Sequence, residues 1–155
     1  MLPLKFRPMT IDDLPFVMCI ENAVYPFPWT EDIIYNCIRL QYECWVVLEN
    51  NEIVGYAIMS IAANECHVLN LCIATEAQRK KSGAALLLKM IEVVRHKAVT
   101  RILLEVRVSN QIAYHLYTQN GFTIIGQRKD YYPTTQGRED ALVLELLITK
   151  SHVTH

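Results

Sequence analysis

Between residues 66 and 96 the hydrophobic pattern changes its period once, and few arrangements of chain accommodate that change. The run CHVLNLCIA, residues 66–74, is a continuous apolar segment of strand length. In ALLLKMIEVVRH, residues 85–96, Leu86, Leu87, Met90, Ile91 and Val94 fall at helical spacing. The polar link between them, TEAQRKKSGA, holds three consecutive cations, Arg79, Lys80 and Lys81, and a single glycine, Gly83. A strand entering a helix through such a link leaves the first backbone N–H groups unpaired, with the positive end of the helix dipole behind them. That is a seat for an anion, most often a phosphate. Cations at a helix start oppose the dipole by roughly 0.3–1 kcal/mol each, which an anion would offset. A solvated charged loop is the other reading of the same residues.

The chain is long enough for one domain with a real core, over residues 1–150, followed by a frayed tail at 151–155. Hydrophobic residues at 52% and charged residues at 20% exclude disorder as the main state. A net charge of −1 offers no global attraction to nucleic acid or an anionic membrane, and no apolar run reaches the ~20 residues of a spanning helix. Cys19, Cys37, Cys44, Cys66 and Cys72 are odd in number and lack a C-x-x-C pair. With no signal-like start, they read as reduced thiols of a cytoplasmic protein.

Along the chain, a strand at Leu4 to Pro8 precedes a helix capped at Thr10 that turns Leu14, Val17, Met18 and Ile20 inwards. The prolines of Tyr25-Pro26-Phe27-Pro28-Trp29 exclude helix there, and Thr30 caps a second helix to about Arg39. Strands are expected at Cys44 to Glu49, Ile53 to Ala62 and Cys66 to Ile73, turned at Asn50-Asn51 and Asn64-Glu65. After the long helix come a strand from Arg101 to Val108 and a helix from Asn110 to about Gln119, stopped by Gly121. Strands at Phe122 to Lys129 and Ala141 to Ile148 close the chain. The order implies an α/β (α+β) fold, a mixed sheet with helices on its faces.

In the strand from Arg101, alternation separates Ile102, Leu104, Val106 and Val108 from Leu103, Glu105 and Arg107. A carboxylate among large aliphatics costs free energy unless it is paired or used, so Glu105 is either a salt bridge to Arg107 or chemistry. Ser109 can cap the following helix, on which Asn110 and Tyr117 share a face, with Tyr114 close to it and His115 away. Tyr117 reads as a packed ring or as an acid. Cys66, His67 and Cys72 have no zinc spacing and read as core, and no neighbouring base marks Cys72 as a nucleophile.

Taken together these segments resemble a known family. Gln78 to Ala84 followed by Ala85-Leu86-Leu87 is similar to the acyl-CoA pyrophosphate loop of the GNAT N-acetyltransferases, with Lys81 where that loop has its first glycine. The match L-E-V-R-x-S-N-x-x-A-x-x-L-Y-x-x-x-G-F from Leu104 to Phe122 joins two further stretches, Phe27-Pro28-Trp29-Thr30-Glu31 and Tyr131-Tyr132-Pro133-Thr134 with Gly137-Arg138-Glu139-Asp140-Ala141. These resemble one branch, the bacterial ribosomal-protein-alanine N-acetyltransferases of the RimI type, and the tail signature is the more specific part.

The resemblance implies a GNAT-like, mostly antiparallel sheet of about seven strands with about four helices. It implies acetyl-CoA as co-substrate, no metal, and transfer to the α-amine of an N-terminal alanine on a small-subunit ribosomal protein. By position it gives Glu105 as base and Tyr117 as acid. Leu71, Cys72 and Ile73 lie on the strand that holds the acetyl and pantetheine portion, Arg79, Lys80, Lys81, Ser82, Gly83 and Ala84 form the pyrophosphate loop, and Asn110 contacts CoA. Phe27, Trp29, Tyr131 and Tyr132 wall the peptide slot, in two loops. The protein is expected to act as a monomer or weak oligomer, away from nucleic acid and membrane. The residue types suit an α-amine, which at a pKa of roughly 7.7–8.0 is partly neutral at pH 7 while lysine at ~10.4 is not. A GNAT acting on a small amine or a lysine side chain, and a non-catalytic acyl-CoA module, are the competing readings.

Overall fold

The computed structural model describes residues 3–149, with Arg79 and Lys80 given by backbone alone. The expected frayed tail lies outside the described residues. Among these residues the order is β1 (Leu4–Pro8), α1 (Leu14–Val24), α2 (Glu31–Arg39), β2 (Glu43–Glu49), β3 (Glu52–Ala62), β4 (Glu65–Ile73), α3 (Ser82–Arg95), β5 (Arg101–Arg107), α4 (Gln111–Gln119), β6 (Thr123–Thr134) and β7 (Gly137–Leu147). The strands form one mixed sheet in the order β1-β2-β3-β4-β5-β7-β6. β4 and β5 run parallel from Glu65 beside Arg101 to Val68 beside Leu104. β1–β2, β2–β3, β5–β7 and β6–β7 are antiparallel. This is the mixed, mostly antiparallel α/β architecture that the element order implies.

The described chain forms two compact units, residues 3–60 with 69–92, and residues 61–68 with 93–149. In the first unit Leu14, Val17 and Ile20 of α1 and Ile34 of α2 join Val46, Tyr56 and Ile58 in the core. Leu86, Leu87, Met90 and Ile91 of α3 are buried as their spacing requires, each worth about 1.5–3 kcal/mol relative to exposure. In the second unit Ile102, Leu104 and Val106 are the buried face of β5, and Phe122 and Leu144 are buried with them.

Local chemistry explains most boundaries. The Thr10 backbone N–H donates to Asp13 Oδ2 at 2.8 Å, which starts a short 3-10 turn ahead of α1, and Arg7 grips the same carboxylate at 2.7 and 2.8 Å. Thr30 Oγ1 accepts from the Ile33 N–H at the start of α2. Asn50 and Asn51 both take positive φ, the pair of conformations a tight hairpin turn demands.

Several expectations shift. The second hairpin turns on Ala63 and Asn64, at φ 50° and 71°, one residue earlier than expected, so Glu65 opens β4. The cap of α4 is Asn110, whose Oδ1 accepts from the Ala113 N–H at 3.1 Å, while Ser109 Oγ donates to Glu139 instead. The link before α3 contains a 3-10 turn over Thr75–Lys80. The segment expected as a loop around Tyr131 and Tyr132 continues the β6–β7 hairpin, through an irregularity between Arg128 and Tyr132 with Asp130 at φ 51°. Pro133 is tolerated because β6 is an edge strand.

Candidate active site

The sequence-predicted residues fall into two groups, one in each unit. In the first unit Leu71, Cys72 and Ile73 end β4, and the 3-10 turn carries the chain to Ser82 at the start of α3. Lys81 adopts φ 60°, ψ 16°, so the left-handed turn that a glycine would take freely is made by a lysine, at roughly 1–3 kcal/mol. Ser82 is fully buried, and its Oγ has no hydrogen-bond partner among the described residues. A buried orphan hydroxyl costs about 1–3 kcal/mol and marks the start of α3 as polar beyond what the protein itself satisfies. With the first amides of α3 and Gly83 beside it, this link fits an anionic phosphate group.

Cys72 is buried, and burial pushes its thiol up to about 11, so it is protonated at neutral pH and unsuited to nucleophilic attack. Gly55 explains how closely β3 lies to this strand end, since a Cβ there would sit 2.7 Å from the Cys72 carbonyl and 2.5 Å from Ile73 Cδ1.

The same unit holds a polar network with no counterpart in the sequence reading. Glu21, a charged residue on α1, is buried at 1% exposure. Its Oε1 accepts from the Tyr56 hydroxyl and from Asn70 Nδ2 at 2.8 Å, and its Oε2 from the Trp29 backbone N–H at 2.9 Å. Tyr25 donates to Asn70 Oδ1 at 3.1 Å. One carboxylate thereby fastens the segment that carries Phe27 and Trp29 to β3 and β4. Trp29 packs against the core while Phe27 is exposed. Removing the acceptor strands two buried donors and one half-buried amide, so Glu21→Ala is expected to cost about 2–3 kcal/mol of stability, read as a lowered urea midpoint.

In the second unit Glu105 lies on β5 with 9% of its side chain exposed. It does not pair with Arg107, as one sequence reading held. Arg107 turns to Glu139 at 2.9 Å and to the Pro133 carbonyl at 2.8 Å, and its guanidinium stacks 4.5 Å over the Tyr132 ring. Glu105 Oε2 meets His67 Nε2 at 2.5 Å, and Arg128 Nε lies 3.6 Å from Oε1. The hydrogen bond from His67 holds the Glu105 carboxyl below the usual carboxylate range, outweighing the opposite effect of burial. The sequence pattern reads His67 as core, whereas 39% of its side chain is exposed. Its position in β4 follows from alternation, but only the parallel register, His67 beside Leu103, brings it diagonally to Glu105.

Tyr117 is buried on α4 with its ring edge-on to Phe122 at 5.5 Å. Asn110 is exposed at the N-cap, with its carbonyl oxygen committed to the helix. Tyr131 and Tyr132 stack edge to face at 4.9 Å, and burial, then the Glu105 charge, raises the Tyr132 phenol to about 12. The hairpin that presents them is pinned by Arg138, donating to the Asp130 and Tyr131 carbonyls at 2.7 and 2.9 Å. Asp140 pins it as well, accepting from the Asp130 N–H and Gln127. Among the described residues no cluster of three His, Cys, Asp or Glu side chains is placed to hold a metal, and no helix is long and apolar enough to cross a membrane.

Comparison with known proteins identifies the family. The model of the acetyltransferase (GNAT) family matches residues 14–122. The ribosomal protein bS18 alanine N-acetyltransferase of Escherichia coli K12 is 34% identical over 137 residues, 88% of this chain and 93% of the relative. The enzyme of that name from Haemophilus influenzae is 35% identical over 126 residues, 81% of this chain and 86% of its own. The crystal structure of the Escherichia coli ribosomal-protein-S18-alanine N-acetyltransferase superposes with a TM-score of 0.90 at 31% identity, covering 99% of both chains. The chain is a member of the GNAT acetyltransferase family.

Proposed function

We propose that the protein moves the acetyl group of acetyl-CoA to the α-amine of an N-terminal alanine on a small-subunit ribosomal protein. The observation that carries this reading is the likeness, over 88% of the chain, to a bS18 alanine N-acetyltransferase. The burial of an ionised Glu105 where the family motif has its carboxylate supports it. When bound, acetyl-CoA supplies a thioester whose carbonyl carbon accepts an amine and whose sulfur departs.

The chain's residues then have distinct tasks. Glu105 draws off the proton of the attacking amine, and Tyr117 gives or shares a proton with the departing sulfur. The backbone of Leu71, Cys72 and Ile73 holds the acetyl and pantetheine portion, while Arg79 to Ala84 seat the pyrophosphate. Asn110 adds a contact through its amide nitrogen, since its oxygen caps α4. Phe27, Trp29, Tyr131 and Tyr132 receive the peptide. The substrate is a protein N-terminus in the cytoplasm, met without nucleic acid or membrane, by a monomer or weak oligomer.

The test is a pair of peptides of one sequence. With a free N-terminal alanine the peptide is expected to gain one acetyl group by mass spectrometry. With its N-terminus blocked and internal lysines present it is expected to gain none. Equal rates on both would overturn the N-terminal reading in favour of lysine transfer, and acetyl-CoA binding without turnover of any amine would make the protein a binding module.

A further inference from the structure

Glu105 is nearly out of water, yet its partner His67 keeps 39% of its side chain exposed. An ionised carboxylate only accepts hydrogen bonds, so the ring nitrogen facing it, Nε2, carries the proton. In the neutral ring the opposite nitrogen, Nδ1, holds a lone pair, the form in which an imidazole accepts a proton. We propose that His67 and Glu105 form one base. Nδ1 of His67 takes the proton that the attacking amine loses, and Glu105 orients the ring through Nε2–H and offsets the charge it gains.

This rests on the assignment of Glu105 to the amine side of the reaction and moves the proton's landing point one residue outward. Three features support it. The bond from His67 leaves Glu105 ionised but a weaker acceptor than an ordinary carboxylate. Its two oxygens are both engaged by cationic or donor groups, Oε2 by His67 and Oε1 by Arg128, the situation of an orienting group. The half-exposed ring reaches water, so a proton placed on it leaves readily, whereas one on the buried carboxylate does not.

The other charged and titratable groups around this face are tied elsewhere. Glu65 on β4 and Glu145 on β7 are both paired to Arg101 of β5. Arg107 of β5 is paired to Glu139 of β7, and Tyr132 of β6 lies under Arg107.

The step balances. As the nitrogen–carbon bond forms, one amine N–H bond breaks and its proton goes to Nδ1, directly or through one water. The carbon–sulfur electron pair leaves on sulfur, which takes the Tyr117 proton. His67 releases its proton to water, and the Tyr117 phenolate is reprotonated from water.

The test combines variants of the full chain with one measurement on the parent protein. His67→Gln keeps an N–H donor toward Glu105 but cannot accept the proton. It is expected to lower kcat on the alanine peptide by about 10²-fold, with KM for peptide and acetyl-CoA within about twofold. His67→Ala is expected to recover part of its rate when imidazole is added, which a purely structural role would not produce.

If His67→Gln keeps the parental turnover while Glu105→Gln loses turnover, this proposal is overturned and Glu105 alone is the base. If both variants keep full turnover, the assignment of Glu105 falls with it. Independently of how the variants fold, ¹⁵N NMR of the parent is expected to show His67 protonated at Nε2. An Nδ1-protonated neutral ring would overturn the proposal.

Discussion

Tyr117→Phe is expected to lower kcat for acetyl transfer by about 10²–10⁴, the span of a general acid, while acetyl-CoA affinity and the fold change little. The substitution removes one oxygen and leaves the ring, whose packing edge-on to Phe122 at 5.5 Å does not depend on the hydroxyl. A thiolate leaving without a proton or hydrogen bond raises the transition state alone, so the loss belongs in kcat and not in binding. Tyr114→Phe, on the same helix with its ring against His115, is the control and is expected to stay near parental turnover. Rates are compared in single turnover, where chemistry is observed directly. Parental single-turnover rates in Tyr117→Phe would remove the phenol from the reaction.

Gly83→Glu is expected to abolish acetyl-CoA binding in a protein that remains folded. The position is the second residue of α3, where the unpaired amides point outwards, and a carboxylate there both fills the space and repels a pyrophosphate. Desulfo-CoA is expected to bind the parent and to be lost in the variant in the same way, because the phosphates and not the sulfur are held there. Calorimetry with both ligands, alongside circular dichroism of the variant, decides it. Unchanged affinity in a folded variant would move the phosphate seat away from this link.

The sequence made much of this legible, for reasons that are local. Period and capping alone place α2 between Thr30 and Arg39, and the five inward residues of α3, because helical spacing and Ncap chemistry are written within a few residues of where they act. The sequence pattern ends one strand at Lys129 and starts the next at Ala141, because Pro133 and the polar run to Asp140 look like a loop. The edge position and the grip of Arg107, Arg138 and Asp140 that make it strand are visible only in three dimensions.

The same division holds at the site. Glu105 stood out as a carboxylate misplaced among aliphatics, and its chemical meaning came from the family motif. Its partner did not stand out. His67 and Glu105 are 38 positions apart, and which strand residue faces which is set by register, a quantity that no single strand's pattern contains. Lys81 is the intermediate case, since the motif flags the missing glycine and the backbone supplies the answer, a left-handed lysine.

The buried carboxylate of Glu21 has a consequence for how this protein can vary. Tyr56, Asn70 and the Trp29 amide all donate to that one side chain, so their stability effects are coupled and not additive. A lineage that exchanged Glu21 first would pass through a protein with three stranded donors, and one that exchanged Tyr56 or Asn70 first would leave a buried charge short of partners. Replacing the whole set together by apolar groups of similar volume avoids both costs. Positions 21, 56 and 70 are therefore expected to change together, and a relative that differs at one of them is the place to look for compensation at the other two.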